Sequence, residues 1–226
     1  MKNSTQKLNR IAATSIFAAI AYLSMFLTPF RVDFLTFDIK DAVIYYAGPT
    51  QAKPLYLGPL AGLAMSAVTS LLEMFTISQT GIDGMIMNFV GSATYTVVAA
   101  LIYTYRKSLK NAVLGLVAAT LSMTAVMLAA NLLITPGFKG VPVEAVIAMI
   151  PTLLLPFNLL KGILNAALVM LLYKPVTTAM RATRLAVGEQ HKGTNKNTII
   201  VTLVSLAVIA AALVFFFAVL DAKLGG

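Results

Sequence analysis

Leu155-Pro156-Phe157-Asn158-Leu159-Leu160-Lys161-Gly162-Ile163 sets an amide and an ammonium inside a long apolar run. From Val146 to Tyr173, Lys161 is the only charge. A run of that length can cross the hydrocarbon core of a bilayer, which takes about 20 residues of helix. An ionisable group at membrane depth is costly, so it faces a protein interior or a wet cavity and marks a ligand or ion path. Asn158 precedes Lys161 by three positions, so on a helix the two side chains share a face. The stretch predicts a membrane protein that holds a polar small molecule.

The rest of the chain has the same character. Of its 226 residues 59% are hydrophobic and only 11% are charged. A soluble domain of this length cannot hide that much apolar surface, so the class is all-α integral membrane protein. The formal charge of +9 comes from Lys and Arg that flank apolar segments without forming a continuous basic surface, which argues against nucleic acid. There is no cysteine, hence no disulfide framework and no thiolate metal site. Met1 to Arg10 forms a basic leader, but no small-residue cleavage site follows, and the run from Ile11 to Phe30 reads as a retained first helix.

Spanning runs are predicted at about 11–30, 55–76, 84–105, 111–134, 146–173 and 198–219, with a shorter one at about 39–52. Lys and Arg placement sets the orientation. If the N-terminus is cytoplasmic and all seven segments cross, the inner side holds twelve basic residues. The outer side holds four, namely Arg31, Lys40, Lys139 and Lys223. The C-terminus then lies outside. The acids Asp33, Asp38, Asp41, Asp83 and Glu144 gather in or beside the outer loops. Either basic residues are simply excluded there, or the outer mouth meets a ligand.

Four polar features lie toward that mouth, Glu73 and Asn88 forming one of them across the turn between the third and fourth segments. Asp38 and Asp41 enter the short second segment, where they can cap a helix. Glu73 closes the third and can reach the headgroups or the ligand. Asn88 opens the fourth segment and Asn131 comes late in the fifth. Each amide can bond a neighbouring helix or a ligand. Asn158 and Lys161 complete the set. Catalytic constellations are missing. The only histidine, His191, lies in a basic stretch near the C-terminal end, so the helices carry no histidine base and no histidine pair for a metal. No Gly-rich loop ending in Gly-Lys-Ser/Thr is present, so the chain is not expected to hydrolyse ATP by itself. In the first segment Thr14/Ala18 and Ser15/Ala19 are small pairs four apart, which permit close packing within the chain or docking of another subunit.

Over about residues 10–180 the chain resembles the substrate-binding S component of an energy-coupling factor (ECF) transporter, most closely the riboflavin-specific type. The resemblance rests on the Asp38/Asp41 entry, Leu57-Gly58-Pro59-Leu60-Ala61-Gly62, Asn88, and most specifically Pro156 to Gly162. It implies a six-helix substrate-binding membrane domain over 1–185, followed by a cytoplasmic linker over 186–197. An additional C-terminal transmembrane helix over 198–226 falls outside it. It implies a riboflavin-binding protein, not an enzyme and without a bound cofactor, that contacts the flavin through Asn131, Asn158 and Lys161, with Asn88 beside them. Transport then requires a membrane scaffold subunit and two ATP-binding-cassette ATPases. Arg31, Lys40 and Lys139 near the mouth keep flavin mononucleotide or another vitamin open as the ligand, and a structural membrane protein without a ligand is the reading from another class. The stretch 48–56 is longer than the usual turn before Leu-Gly-Pro.

Overall fold

The computed structural model describes residues 2–27, 30–32, 35–37, 39–47, 58–105, 108–182 and 195–224. The chain runs as α1 (Lys2–Leu27), a short hairpin of β1 (Phe30–Val32) and β2 (Leu35–Phe37), then α2 (Lys40–Ala47), α3 (Gly58–Thr76) and α4 (Gly81–Tyr105). α5 (Leu109–Lys139), α6 (Val143–Met149), α7 (Leu155–Ala182) and α8 (Asn195–Leu224) follow. Among the described residues four stretches are long and apolar enough to cross a membrane: Pro59–Thr76, Gly81–Tyr103, Lys110–Lys139 and Val143–Tyr173. Shorter apolar stretches occupy Thr14–Phe26 and Ile199–Ala212. Side chains such as Leu60, Phe75 and Leu133 stand outward, as lipid-facing residues do.

Several boundaries differ from those expected. α1 begins nine residues before the predicted start at 11 and ends at Leu27. The residues after it form the antiparallel hairpin, with Phe30 opposite Phe37 and Val32 opposite Leu35, so the all-α expectation holds for the bundle and misses this element. α2 has only eight residues. At 1.5 Å per residue this described part of α2 rises about 12 Å, and residues 48–57 after it lie outside the described residues. The long turn at 48–56 lies outside the described residues, as does Asp38. Of the predicted linker 186–197, residues 186–194 also lie outside them, and its last three residues are already helical in α8.

The predicted sixth segment is one helical path with a widened turn. Ile150–Leu154 is π-helical, and the Leu155 N–H donates to the Ile150 carbonyl, five residues back. Pro151 and Pro156 each remove a donor from the ladder here, and the wider turn absorbs the break. α5 is delimited by its caps. The Ser108 hydroxyl accepts from the Asn111 N–H at 3.2 Å, and Gly140 closes the helix at φ 65°, a left-handed conformation that glycine adopts without Cβ strain.

The helices form a ring. α3 packs on α4, α4 on α5 and α5 on α7, while α2 leans on α7, α3 and α4 and α1 covers α2 and α3. The ring's core mixes small and large side chains, among them Ala21, Ala42, Ala99 and Ala119 with Ile44, Tyr45, Tyr95 and Met123. Small residues let helix backbones approach closely where no hydrophobic drive separates protein from lipid. α8 lies along α7, and Ala212 joins a second cluster with Val146, Leu153, Leu154, Phe157 and Leu164. The additional helix is therefore packed on the bundle. The small-residue pairs of α1 divide: Ala18 is buried in the core, while Ser15 and Ala19 are exposed and Thr14 is half-buried.

Two crossings depend on a missing Cβ. Gly62 of α3 sits over Thr96 of α4, and Gly162 of α7 over Thr120 of α5. A Cβ on Gly162 would stand 2.5 Å from Thr120 Cγ2 and 3.0 Å from its Cβ. Thr120 cannot swing away freely, because its hydroxyl bonds the Leu116 carbonyl at 2.9 Å and its χ1 is stiff. Gly162→Ala is expected to destabilise the protein by about 1–3 kcal/mol through overpacking. Thermal unfolding in detergent measures it, and Thr120→Ala in the same chain is expected to recover most of the loss.

Candidate functional site

One end of the ring, where α3 turns into α4, α5 ends and α7 begins, opens into a cavity of about 710 Å³ including its mouth. Its polar wall comes from four helices and one turn: Asp41 (α2), Thr80 (the α3–α4 turn), Asp83, Asn88 and Ser92 (α4), Thr135 (α5), and Asn158 and Lys161 (α7). Between them lie Met87, Met123, Met127, Ile134, Phe138 and Phe157. Such a surface suits a flat ligand with polar edges: thioethers and rings cover its faces, and a few placed donors and acceptors fix its orientation.

The π turn and Pro156 deliver Phe157, Asn158 and Lys161 to this wall. Asn158 is buried and donates from Nδ2 to the Leu154 carbonyl at 2.7 Å. That leaves its amide oxygen as an acceptor at the cavity. Lys161 is 9% exposed. Its wall includes two carboxylates, Asp41 and Asp83, so the ammonium does not stand in a purely apolar environment. Asp41 is 1% exposed and sits in the first turn of α2.

Of the residues singled out from sequence, Asn88, Asn158 and Lys161 line the cavity together. Asn131 does not. It is completely buried, donating from Nδ2 to the Met127 carbonyl at 2.8 Å and accepting at Oδ1 from the Thr135 hydroxyl at 2.8 Å. Met127 and Thr135 both line the cavity, so Asn131 stands one layer behind and braces them. Glu73 is also outside the lining. It is buried and forms an ion pair with Lys40 Nζ at 2.7 Å. Lys40, counted from sequence among the outer cations, is 0% exposed.

Five polar wall residues, Asp41, Thr80, Asp83, Ser92 and Thr135, carried no assigned site role in the sequence. Asp41 reads as a helix cap until the fold sets it across from α7. Thr80 is held at the mouth by Ser78, whose Oγ accepts from the Thr80 N–H at 3.2 Å and bonds its hydroxyl at 2.8 Å. Ser92 and Thr135 look like ordinary helix hydroxyls. Their sequence signal is weak, because Ser and Thr in membrane helices usually bond a carbonyl one turn back.

A membrane-embedded ring of helices with one polar-edged cavity at an end is the architecture of a membrane subunit that captures a small molecule. The family model for the ECF transporter substrate-specific component matches residues 9–173, and the chain belongs to that family. It is 29% identical over 193 residues to a riboflavin transporter, RibU, of Staphylococcus aureus (strain TCH60), covering 79% of this chain and 98% of that one. It is 26% identical over 179 residues to the riboflavin transporter FmnP of Bacillus subtilis (strain 168), covering 74% and 91%. A solved structure of the S component of a bacterial ECF transporter superimposes with a TM-score of 0.63 at 28% identity, covering 77% of this chain and 99% of that one. The matched family region stops before α8.

Proposed function

We propose that this chain is the riboflavin-binding S component of an ECF-type importer, and that it takes the vitamin from outside the cell with energy from partner ATPases. The observation that carries the reading is the cavity itself: Lys161, Asn158 and Asn88 converge there among Met and Phe side chains, in a chain whose relatives are riboflavin transporters. Riboflavin offers an uncharged tricyclic ring with imide oxygens and nitrogens and a polyhydroxy tail. The Lys161 ammonium donates to an oxygen of the ligand, and the amides of Asn158 and Asn88 both donate and accept.

In this reading six helical segments form the substrate domain, over residues 1–185, and α8 is a seventh crossing. If all seven segments cross, the N-terminus is cytoplasmic, the C-terminus is extracellular and the cavity opens outward, and the excess of Lys and Arg that this places inside supports the reading. A scaffold subunit and two ATP-binding-cassette ATPases complete the importer. The exposed Ser15 and Ala19 of α1 offer the scaffold a small-residue face, whereas Ala18 is spent on the chain's own core. Riboflavin is favoured over flavin mononucleotide by two features. Lys40 is taken up by Glu73, and two carboxylates, Asp41 and Asp83, share the wall with a single ammonium.

Purified from cells in detergent, the protein is expected to carry a yellow chromophore that is released on denaturation. Ligand-free protein is expected to quench riboflavin fluorescence at or below micromolar concentration. A colourless preparation that leaves riboflavin fluorescence unchanged would refute the assignment. Uptake by this chain in cells without the partner ATPases would refute the coupled mechanism separately.

A further inference from the structure

α7 carries a second amide, beyond Asn158, that takes no part in lining the cavity. Asn165 is 1% exposed and lies one turn beyond Lys161. Its Nδ2 donates to the Lys161 carbonyl at 3.1 Å, and its Oδ1 accepts from the Ala42 N–H at 3.1 Å. Only one orientation of the amide satisfies both, because a carbonyl needs the NH2 group and an N–H needs the oxygen. The two bonds reach unusual targets. The Ala42 nitrogen belongs to the peptide that joins Asp41 to Ala42, and the carbonyl is Lys161's own. One side chain therefore grips the backbone of both buried charged residues of the cavity wall, across 123 positions of sequence.

The other side of α2 is held as firmly. Lys40, next to Asp41, is fixed to Glu73 of α3 by the buried ion pair at 2.7 Å. The first turn of this eight-residue helix is thus tied to α7 by Asn165 and to α3 by Glu73.

We propose that Asn165 is a positioning residue of the ligand site, setting the spacing between Asp41 and Lys161 so that a carboxylate and an ammonium meet the ligand as a preorganised acceptor and donor. A site held in its binding geometry spends no affinity on ordering itself, and a loosened one does. The inference rests on the riboflavin reading for its ligand but not for its geometry. It also accounts for an amide buried at a helix contact that needs none for packing.

The test is a double-mutant cycle on the full chain in detergent, read as riboflavin affinity by fluorescence quenching. Asn165→Leu keeps the volume and removes both bonds. The Ala42 N–H retains the Ile39 carbonyl at 3.2 Å, and the Lys161 carbonyl retains its helix partner, so the fold is expected to persist. Asn165→Leu and Asp41→Asn are each expected to weaken binding by about tenfold or more. Combined, they should be within about threefold of the worse single variant, because one acts through the other. Asn165→Leu combined with Asn88→Ala, on another helix, is expected to multiply. Unchanged affinity in Asn165→Leu, or losses that multiply with Asp41→Asn to about a hundredfold, overturns the proposal. Should Asn165→Leu fail to fold, Asn165→Ser replaces it. Its short hydroxyl can bond the Lys161 carbonyl but cannot reach α2, and the same outcomes apply. Wild-type protein that does not bind riboflavin defeats the functional reading. Wild-type binding with unaffected variants defeats only the role of Asn165.

Discussion

Lys161→Met is expected to weaken riboflavin binding by at least about tenfold while the protein remains inserted and folded, because one charged hydrogen bond to a ligand contributes roughly 1.5–3 kcal/mol. Methionine nearly matches the length of the lysine stem, so the wall keeps its shape and the cavity does not collapse. Removal of the charge also lifts a desolvation cost, since Lys161 is only 9% exposed. Because the buried Asp41 carboxylate shares the wall with Lys161, the loss of affinity is expected to exceed any change in the unfolding temperature of the ligand-free variant. Fluorescence titration and thermal unfolding on one preparation separate the two quantities. Equal affinity in wild type and variant would reduce Lys161 to a packing residue. A drop in both would show that the ammonium holds the bundle together.

Breaking the Lys40–Glu73 pair on one side is expected to have the largest effect on stability. Both side chains are buried, at 0% and 5% exposure, and the pair spans 2.7 Å between the start of α2 and the end of α3. Lys40→Met leaves the Glu73 carboxylate buried without its cation, and a cut of this kind costs about 3–5 kcal/mol. Glu73→Leu likewise takes the carboxylate away from a buried ammonium. The double variant Lys40→Met/Glu73→Leu is expected to recover most of the loss, since a well-packed apolar pair often replaces a buried ion pair without penalty. Unfolding of the three variants in detergent is the measurement. Single variants as stable as wild type would mean that water reaches the pair. α2 carries Asp41 into the cavity wall, so the double variant also shows whether fixing that helix matters for binding apart from stability.

Much of the bundle and part of the site can be read directly from the chain. Lys161 and Asn158 stand out because an apolar run makes any polar residue visible, and Asn88 stands out for the same reason at the head of α4. Asn165 continues the stripe from Asn158 and Lys161 at helical spacing, so its signal was present; it resembles an ordinary interhelical amide until Ala42 is placed opposite. Asn131 was legible as a buried amide but not as a brace, because only packing puts Thr135 and Met127 between it and the cavity. The hairpin at Phe30–Phe37 also has a signal, an alternation of Phe30, Arg31, Val32 and Asp33. It is hidden by the habit of treating the residues after a spanning helix as loop. Nothing in sequence links Lys40 to Glu73, two residues 33 positions apart whose types would suit exposed helix ends equally well.

Hydropathy and charge by themselves determined that this chain lives in a membrane as a helical bundle, where its long spanning helices run, and that α7 carries a polar stripe. These are local properties: the bilayer demands about 20 apolar residues per crossing and rejects isolated charge, and the chain declares both residue by residue. Only the tertiary structure decided which polar residues face one another. Asp41 and Lys161 share a cavity, Glu73 belongs to Lys40 and Asn131 stands behind the wall because a ring of helices brings together positions far apart in sequence. Side-chain pairing across such a ring follows from how the helices pack, and a single sequence does not encode that packing in any local pattern.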